Sequence, residues 1–345
     1  MSIILQRLVL NAYRGVAGLE LKDLSPVSVI VGANNSGKSS ILEAAGLFLR
    51  PPDPTQWVNA VRHRDVDMSL VDGLWSLFPS GEALDPEAGQ QQSEKLVLDG
   101  VAAGAPRTLE ARCHAAPVWS PQREEPELVK AGFESPLGAR REVPDLSARV
   151  DVSVNGDPAL TLKFPSPAAV AHQVPMYRVF TVTPATHYST KALVEHLSRV
   201  IDEGKKQLAV ELLQVFDKDV EDLDVIASLG REAVRVAHRA RGVVDLASFG
   251  DGMRRSAALA LALTRASQGV LLVDEIEAGI HHSVLRPVLS KLLEAAATSQ
   301  VQILATTHSL EAVDAIIGSI EDRGTPDALS AFWVQRPDDK HEVRR

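Results

Sequence analysis

One stretch constrains this chain more than any other. "GANNSGKSS", Gly32 to Ser40, fits the spacing G-x-x-x-x-G-K-[ST] and stands between an apolar run, "VSVIVG", and a helical one from Lys38 to about Arg50, where "PPDP" stops it. A strand that turns through glycines into a helix leaves bare backbone N–H groups at the positive end of the helix dipole, and that is an anion site. In this pattern Gly32, Ala33, Asn34, Asn35, Ser36 and Gly37 wrap phosphate oxygens with their backbone, and Ser40 continues the helix start. Lys38 reaches the terminal oxygens and the Ser39 hydroxyl ligates Mg2+. A nucleoside triphosphate with its metal is the expected ligand.

Such a site also needs a carboxylate to hold the metal and a group to take a proton from water. "GVLLVDEIEAG" offers both: residues 270–273 read as a buried strand, Asp274 falls at its carboxyl end and Glu275 follows, pointing elsewhere. Asp274 is the expected metal partner of Ser39, and Glu275 the expected general base. A third strand, "VQILATTHS", ends on Thr306, Thr307 and His308. Ligands gather at the carboxyl ends of strands in a parallel sheet, so His308 is expected beside the two acids, bonding the terminal phosphate or the water. A helix-capping His-Ser pair is the other reading of the same residues. Far downstream of the first loop, a second glycine turn, "SFGDG", opens another apolar helix. One loop fully occupies one side of a triphosphate. Ser248, Phe249, Gly250, Asp251 and Gly252 are therefore expected to face the nucleotide of a second copy, which makes the nucleotide part of a homodimer interface. His281 and His282, neighbours on a helix, diverge by about 100° and make a poor metal pair, better suited to solvent or a subunit contact.

Composition removes other classes. The chain of 345 residues is 45% hydrophobic and 23% charged, enough for a large core in one domain with an insertion or in two lobes. Its formal charge of −9 opposes a surface that grips nucleic acid by bulk electrostatics, and leaves a local basic groove as the route to DNA. The single cysteine, Cys113, can neither close an internal disulfide nor build a cysteine metal cluster, and reads as a small strand residue in a reducing interior. No apolar run approaches the roughly 18 residues of a membrane span. "MSIILQRLVLNAYRG" lacks the order of a secretory signal, so a cytoplasmic protein without membrane contact is expected.

Along the chain, residues 1–80 read as a first lobe carrying the phosphate loop. Residues 81–190 read as an inserted β-rich subdomain, with long mobile loops between 81 and 146 and a hairpin in "ARVDVSVNGDPALTLKF". Residues 191–246 read as a helical arm and a strand pair, without the sustained heptads of a long coiled coil. Residues 247–345 form a second lobe in which helices and strands alternate. The expected fold class is α/β: a P-loop nucleotide-binding fold with a mostly parallel sheet, an antiparallel β lobe at the N-terminus and an inserted β-rich and helical arm.

That set of motifs, in that order, resembles the ABC-type ATPases of the SMC, RecF and OLD group. "GANNSGKSS" looks like their phosphate loop and "SFGDGMRR" like their signature in the S-x-G-[DE]-G form. "LLVDEIEAGIHHS" looks like the second Walker motif running into the D-loop, and "ATTHS" like the switch histidine. "NAYRG" is similar to a segment beside the nucleotide in that group, which makes Arg14 a phosphate or base contact by resemblance. The resemblance also implies a glutamine loop, for which Gln56 and Gln173 are both open. It covers residues 1–50 and 190–345 well and the centre loosely. It implies hydrolysis of ATP, with Mg2+, by a dimer that closes around the nucleotide. The chain looks most like the OLD-like AAA family ATPases of bacterial anti-phage systems. Full OLD proteins carry a Toprim nuclease after the ATPase, whereas here "SAFWVQRPDDKHEV" offers Asp338 and Asp339 without the D-x-D pattern, so a nuclease effector is expected as a separate chain. RecF- or SMC-like DNA repair is the alternative role, and the nucleotide-binding subunit of a transporter a more distant one.

Overall fold

The computed structural model describes residues 3–62, 69–79, 92–118, 145–164, 168–228, 231–336 and 341–345. Most of the stretch expected to form long loops, and Asp338 with Asp339, lie outside the described residues. The chain enters through β1 (Leu5–Ala12) and β2 (Leu19–Leu21), then β3 (Val27–Val31) leads through the glycine loop into α1 (Lys38–Leu49). All of β3 is buried, as a strand covered on both faces must be. After α2 (Pro54–Arg62) and α3 (Leu70–Trp75) comes a meander of β4 (Gln92–Ala102), β5 (Ala105–Val118), β6 (Asp145–Val154), β7 (Asp157–Phe164) and β8 (Ala168–Ala171). Pro54 opens α2 where its missing N–H costs nothing. The β4–β5 and β6–β7 turns each place two residues at positive φ, Ala103 with Gly104 and Asn155 with Gly156, the twist that two-residue hairpins favour.

β1 pairs with β2 on one side and β4 on the other, giving the order β2-β1-β4-β5-β6-β7-β8. The strands expected to build a separate insert over 81–190 thus continue the sheet the N-terminus begins, and a boundary at residue 80 cuts through it. The physical reason is burial: β1 turns Leu5, Leu8 and Leu10 into the same core that Leu96, Leu98 and Leu109 fill. β9 (Val179–Val182), inside the same span, joins a different sheet.

From β9 the chain runs through α4 (Thr190–Asp202) and α5 (Gln207–Gln214). A small antiparallel sheet of β10 (Val220–Ser228), β11 (Arg231–His238) and β12 (Gly242–Asp245) follows. The expected strand pair is thereby a triplet, because Gly242, at φ 71, starts a return strand after a tight turn. Leu193, Leu197, Leu212 and Leu223 of this region share a core with Leu259 and Leu263 of α6 (Asp251–Arg265), so α4, α5 and the start of β10 pack against that helix. The remaining elements are β13 (Val270–Val273), α7 (His282–Thr298), β14 (Gln302–Thr307), α8 (Leu310–Asp322), β15 (Leu329–Gln335) and β16 (Glu342–Arg344).

The second sheet has the order β16-β15-β3-β14-β13-β9, parallel throughout except for β16 at its edge. Alternate residues of its strands point to opposite faces. Ile30, Leu272 and Leu304 therefore meet α1 to α3 and the antiparallel sheet, while Val29, Leu271 and Ile303 meet α4 to α8. α1 lies between the two sheets, which explains a helix apolar almost all round. Gln302, buried at the start of β14, stitches the sheets together: its Oε1 accepts from the N–H groups of Ile4 (3.0 Å) and Leu5 (2.8 Å), and its Nε2 donates to the carbonyls of Leu5 (2.8 Å) and Ser25 (3.2 Å). Cys113 is buried in β5, where burial pushes its thiol up to about 12. Among the described residues no helix is long and apolar enough to cross a membrane.

Candidate functional site

Parallel strands finish at one edge, and here four of them deliver the site. β3 ends at the glycine loop, β13 at Asp274, β14 at His308 and β9 at Thr183. β14 lies between β3 and β13, with Val31 in register with Thr307 and Val273 with Ala305. Thr306 consequently stands between loop and acids: its Oγ1 donates to Asp274 Oδ1 (2.6 Å) and accepts the Glu275 N–H (2.9 Å). From the other side the Ser39 hydroxyl donates to the same Asp274 oxygen at 3.2 Å.

The glycine loop is shaped for something it must admit closely. Asn35 (φ 63) and Gly37 (φ 92) are left-handed, and a Cβ on Gly37 would press on the His341 ring and Val16, both at 3.1 Å. Gly37 also begins α1 without a side-chain cap, so the first N–H groups of the helix keep their capacity for an anion. The Ser36 hydroxyl is buried without a partner. Lys38, buried, folds back to donate to the carbonyls of Gly32 and Ala33, both at 2.8 Å. Burial lowers its pKa, while Asp274, Glu275 and Glu277 pull the other way. An orphaned hydroxyl, an uncapped helix and a buried ammonium fit a triphosphate, and two hard oxygens, Ser39 Oγ and Asp274 Oδ1, fit Mg2+. These groups line a cleft of about 390 Å³ together with Arg14, Gly15, Glu275, Arg336 and His341. A neighbouring cavity of about 270 Å³ shares Ser39 and Asp274 and is lined by Gln56, whereas Gln173 is exposed elsewhere.

Glu275 is held in the left-handed region at φ 48, which costs a non-glycine residue roughly 1–2 kcal/mol. Its N–H goes to Thr306, and its carbonyl accepts from Arg255, a guanidinium with no exposed surface. Arg255 also donates to the carbonyls of Asp274 (2.8 Å) and Thr183. Burial pushes the Arg255 pKa down to about 10, against the pull of Asp274, Glu275 and Glu277. His308 is half exposed; its N–H donates to Glu277 Oε1 (3.2 Å), and its Nδ1 stands 3.4 Å from the same oxygen. The other oxygen of Glu277 is buried without a partner.

Arg14 lines the cleft as well, and its guanidinium donates to Glu43 (2.8 Å), the Ser76 hydroxyl (3.1 Å) and the Ala60 carbonyl (2.8 Å), bonds that brace the wall. Burial works against its charge, yet Tyr13 and Glu43 hold its pKa above the usual arginine value. None of Ser248, Phe249, Gly250, Asp251 and Gly252 lines the cleft. Gly250 caps α6 with no atom within 4 Å of where a Cβ would stand, and Ser248, exposed, donates to the Asp245 carbonyl at 2.6 Å. Asp251 accepts the Tyr188 hydroxyl at 2.9 Å, Phe249 is half-buried, and Gly252 leaves Phe216 and the Gly279 carbonyl no space for a side chain. His281 and His282 are exposed, and His281 caps α7 through Ser283. Asp217, Asp219 and His238 lie together, but His238 Nδ1 accepts the Ala240 N–H (3.1 Å), leaving Nε2 to donate to Asp217 (3.0 Å), a structural bond. The residues that sequence reasoning passed over are Thr306, Glu277, Arg255, Arg336 and His341. Thr306 and Arg255 stood inside quoted motifs, whereas the place of His341 has no local signature.

Fold and cleft together define a P-loop nucleotide-binding domain. Residues 27–314 match the family described as "AAA domain, putative AbiEii toxin, Type IV TA system", and the chain belongs to that family. It is 51% identical over 37 residues to the uncharacterized protein MJECL10 of Methanocaldococcus jannaschii, covering 11% of this chain and 17% of that one. It is 33% identical over 69 residues to the uncharacterized protein MJECL11 of the same organism, covering 20% of this chain and 60% of that one. The matches thus span less than two thirds of either relative. Among solved structures it is similar to the SMC head domain from Thermotoga maritima, with a TM-score of 0.46 and 13% identity over 99% of this chain and 98% of that one. It is also similar to the recombination mediator protein RecF in complex with ATPrS, with a TM-score of 0.46 and 12% identity over 98% and 97% of the two chains.

Proposed function

We propose that this chain hydrolyses ATP and works as a switch, two copies closing around the nucleotide and opening after hydrolysis. The glycine loop and Lys38 hold the triphosphate, with Ser36 supplying a further hydroxyl. Mg2+, when bound, is held by Ser39 and Asp274 and draws charge from the phosphate oxygens. The Glu275 carboxylate takes the proton of the attacking water, water oxygen joins the terminal phosphorus, and the bond to ADP breaks. His308, carried on Glu277, lies at the same strand edge to steady the terminal phosphate or the water.

One observation carries the dimer: the uncapped start of α6 at Gly250 lies open and outside the cleft that its own chain builds. A second chain's triphosphate suits such a turn, with Ser248 and the first N–H groups of α6 as donors. Tested directly, Glu275→Gln should keep nucleotide affinity, slow hydrolysis on the order of a hundredfold and accumulate a dimer with Mg2+ and ATP, read by light scattering. A variant that stays monomeric with ATP bound overturns the reading.

In the cell the closing motion is taken to drive a separate effector protein, in bacterial anti-phage defence of the OLD-like kind. The charge of −9 favours a protein partner over DNA. A Toprim-type nuclease that binds only the closed form would support this role, and turnover stimulated by DNA would favour RecF- or SMC-like repair.

A further inference from the structure

Arg255 is a fully buried guanidinium, and it is spent on the site's own backbone. It has no exposed surface, it lies in the second turn of α6, and it donates to the carbonyls of Thr183, Asp274 and Glu275, at the ends of β9 and β13. Thr306 holds the Glu275 N–H, and the Ala278 N–H, in the same loop, donates to the Glu275 carbonyl at 2.9 Å. A residue in left-handed conformation keeps it only while its neighbours over-determine it, and here one of the three restraints comes from α6, outside both the sheet and the loop itself. That helix begins at Gly250, at the turn assigned to the second chain's triphosphate. The turn also touches the segment just after the acids: Gly279 packs on Asp251, and its carbonyl lies 3.2 Å from where a Gly252 side chain would start. Arg255 Nε is buried with no partner, so the guanidinium has a donor in reserve for a shifted position of α6.

We propose that Arg255 is a positioning residue that ties Glu275 to α6, so that a turn engaging the second chain's triphosphate sets the catalytic loop of its own chain. The proposal rests on the dimer reading above and adds a direction to it: each nucleotide readies the opposite site. Lysine at this position keeps the charge but cannot reach three carbonyls from a planar fork. Arg255→Lys should lower kcat by a factor on the order of ten or more and leave KM for ATP unchanged, because the cleft's own donors are untouched.

A second measurement leaves Arg255 in place. A 15N-labelled chain carrying Lys38→Ala, which has lost its own phosphate grip, is mixed with unlabelled Glu275→Gln chain, Mg2+ and ATP. Hydrogen exchange is then followed by mass in labelled peptides covering residues 274–277. Slowing on the order of threefold or more once the heterodimer forms is the expected result, since the signal can reach those residues only from the capped turn. Adding Arg255→Lys to the labelled chain should abolish the slowing while scattering still reports the heterodimer. A heterodimer whose labelled 274–277 amides exchange at the monomer's rate overturns the proposal and spares the dimer. Failure to form any heterodimer overturns both.

Discussion

At Glu275 and its neighbours, the acids that matter are sorted by what their backbone and oxygens already do. Asp274 has one oxygen committed to Ser39 and Thr306, the donor pair that also surrounds the expected metal position. Glu275 makes its bonds through the main chain and leaves the carboxylate to face the cleft that it lines. Glu277, the third acid of "DEIE", bonds the backbone of His308, stands against its Nδ1 and keeps one buried oxygen unpaired. Holding a histidine from one ring nitrogen leaves the other to meet phosphate or water. Glu277→Ala should therefore reduce kcat by about ten- to a hundredfold with little change in KM for ATP, measured by steady-state phosphate release. Equal kcat in the variant would remove Glu277 from the site. Asp274, Glu275 and His308 were legible because motif spacing follows strand ends. Glu277 was not, because a carboxylate four residues past a strand has no distinguishing signal until the adjacent strand's histidine is placed against it.

Among the elements, those with their own turn chemistry could be read one at a time. The hairpin of β6 and β7 turns on Asn155 and Gly156, and α1 begins where the glycine loop ends. Pairing between distant elements could not be read so. β1 and β4 are partners across 79 intervening positions of chain, and the shared leucine core brings them together. Gln302 is the clearest case: in sequence it is one polar residue in "VQILATT", yet it satisfies four backbone groups, of β1 and of the turn before β3. Replacing it by leucine would strand buried N–H and carbonyl groups at a cost of about 1–3 kcal/mol for each that finds no other partner. Gln302→Leu should accordingly lower unfolding stability by on the order of 3 kcal/mol in urea titration, far more than an exposed polar exchange. A loss below about 0.5 kcal/mol would show that the sheets are joined by apolar packing alone.

For the whole molecule, the layering of antiparallel sheet, α1, parallel sheet and helices sets the phosphate loop on one side of the acids and the Gly250 turn outside the cleft. If active sites are shared, two defective chains can rescue one another. Lys38→Ala and a bulky replacement such as Gly250→Trp should each be inactive alone, while an equal mixture regains turnover through one intact composite site per heterodimer, with about a quarter of wild type as the ceiling and less than that because the Gly250→Trp chain's own turn no longer sets its Glu275. A mixture as inactive as its parts would exclude shared sites. The sequence by itself determined the chemistry of the loop, the strand-end positions of Asp274 and His308, and the alternation that makes a parallel sheet, because each depends on spacing of a few residues along one strand, turn or helix. Tertiary structure alone decided that β4 to β8 belong to the sheet of β1, that Arg14 pairs with Glu43 in the cleft wall, and that Arg255 grips the loop of Glu275. Those outcomes follow from burial, which commits each polar group to whichever partner the packed core brings within reach, however distant in the chain.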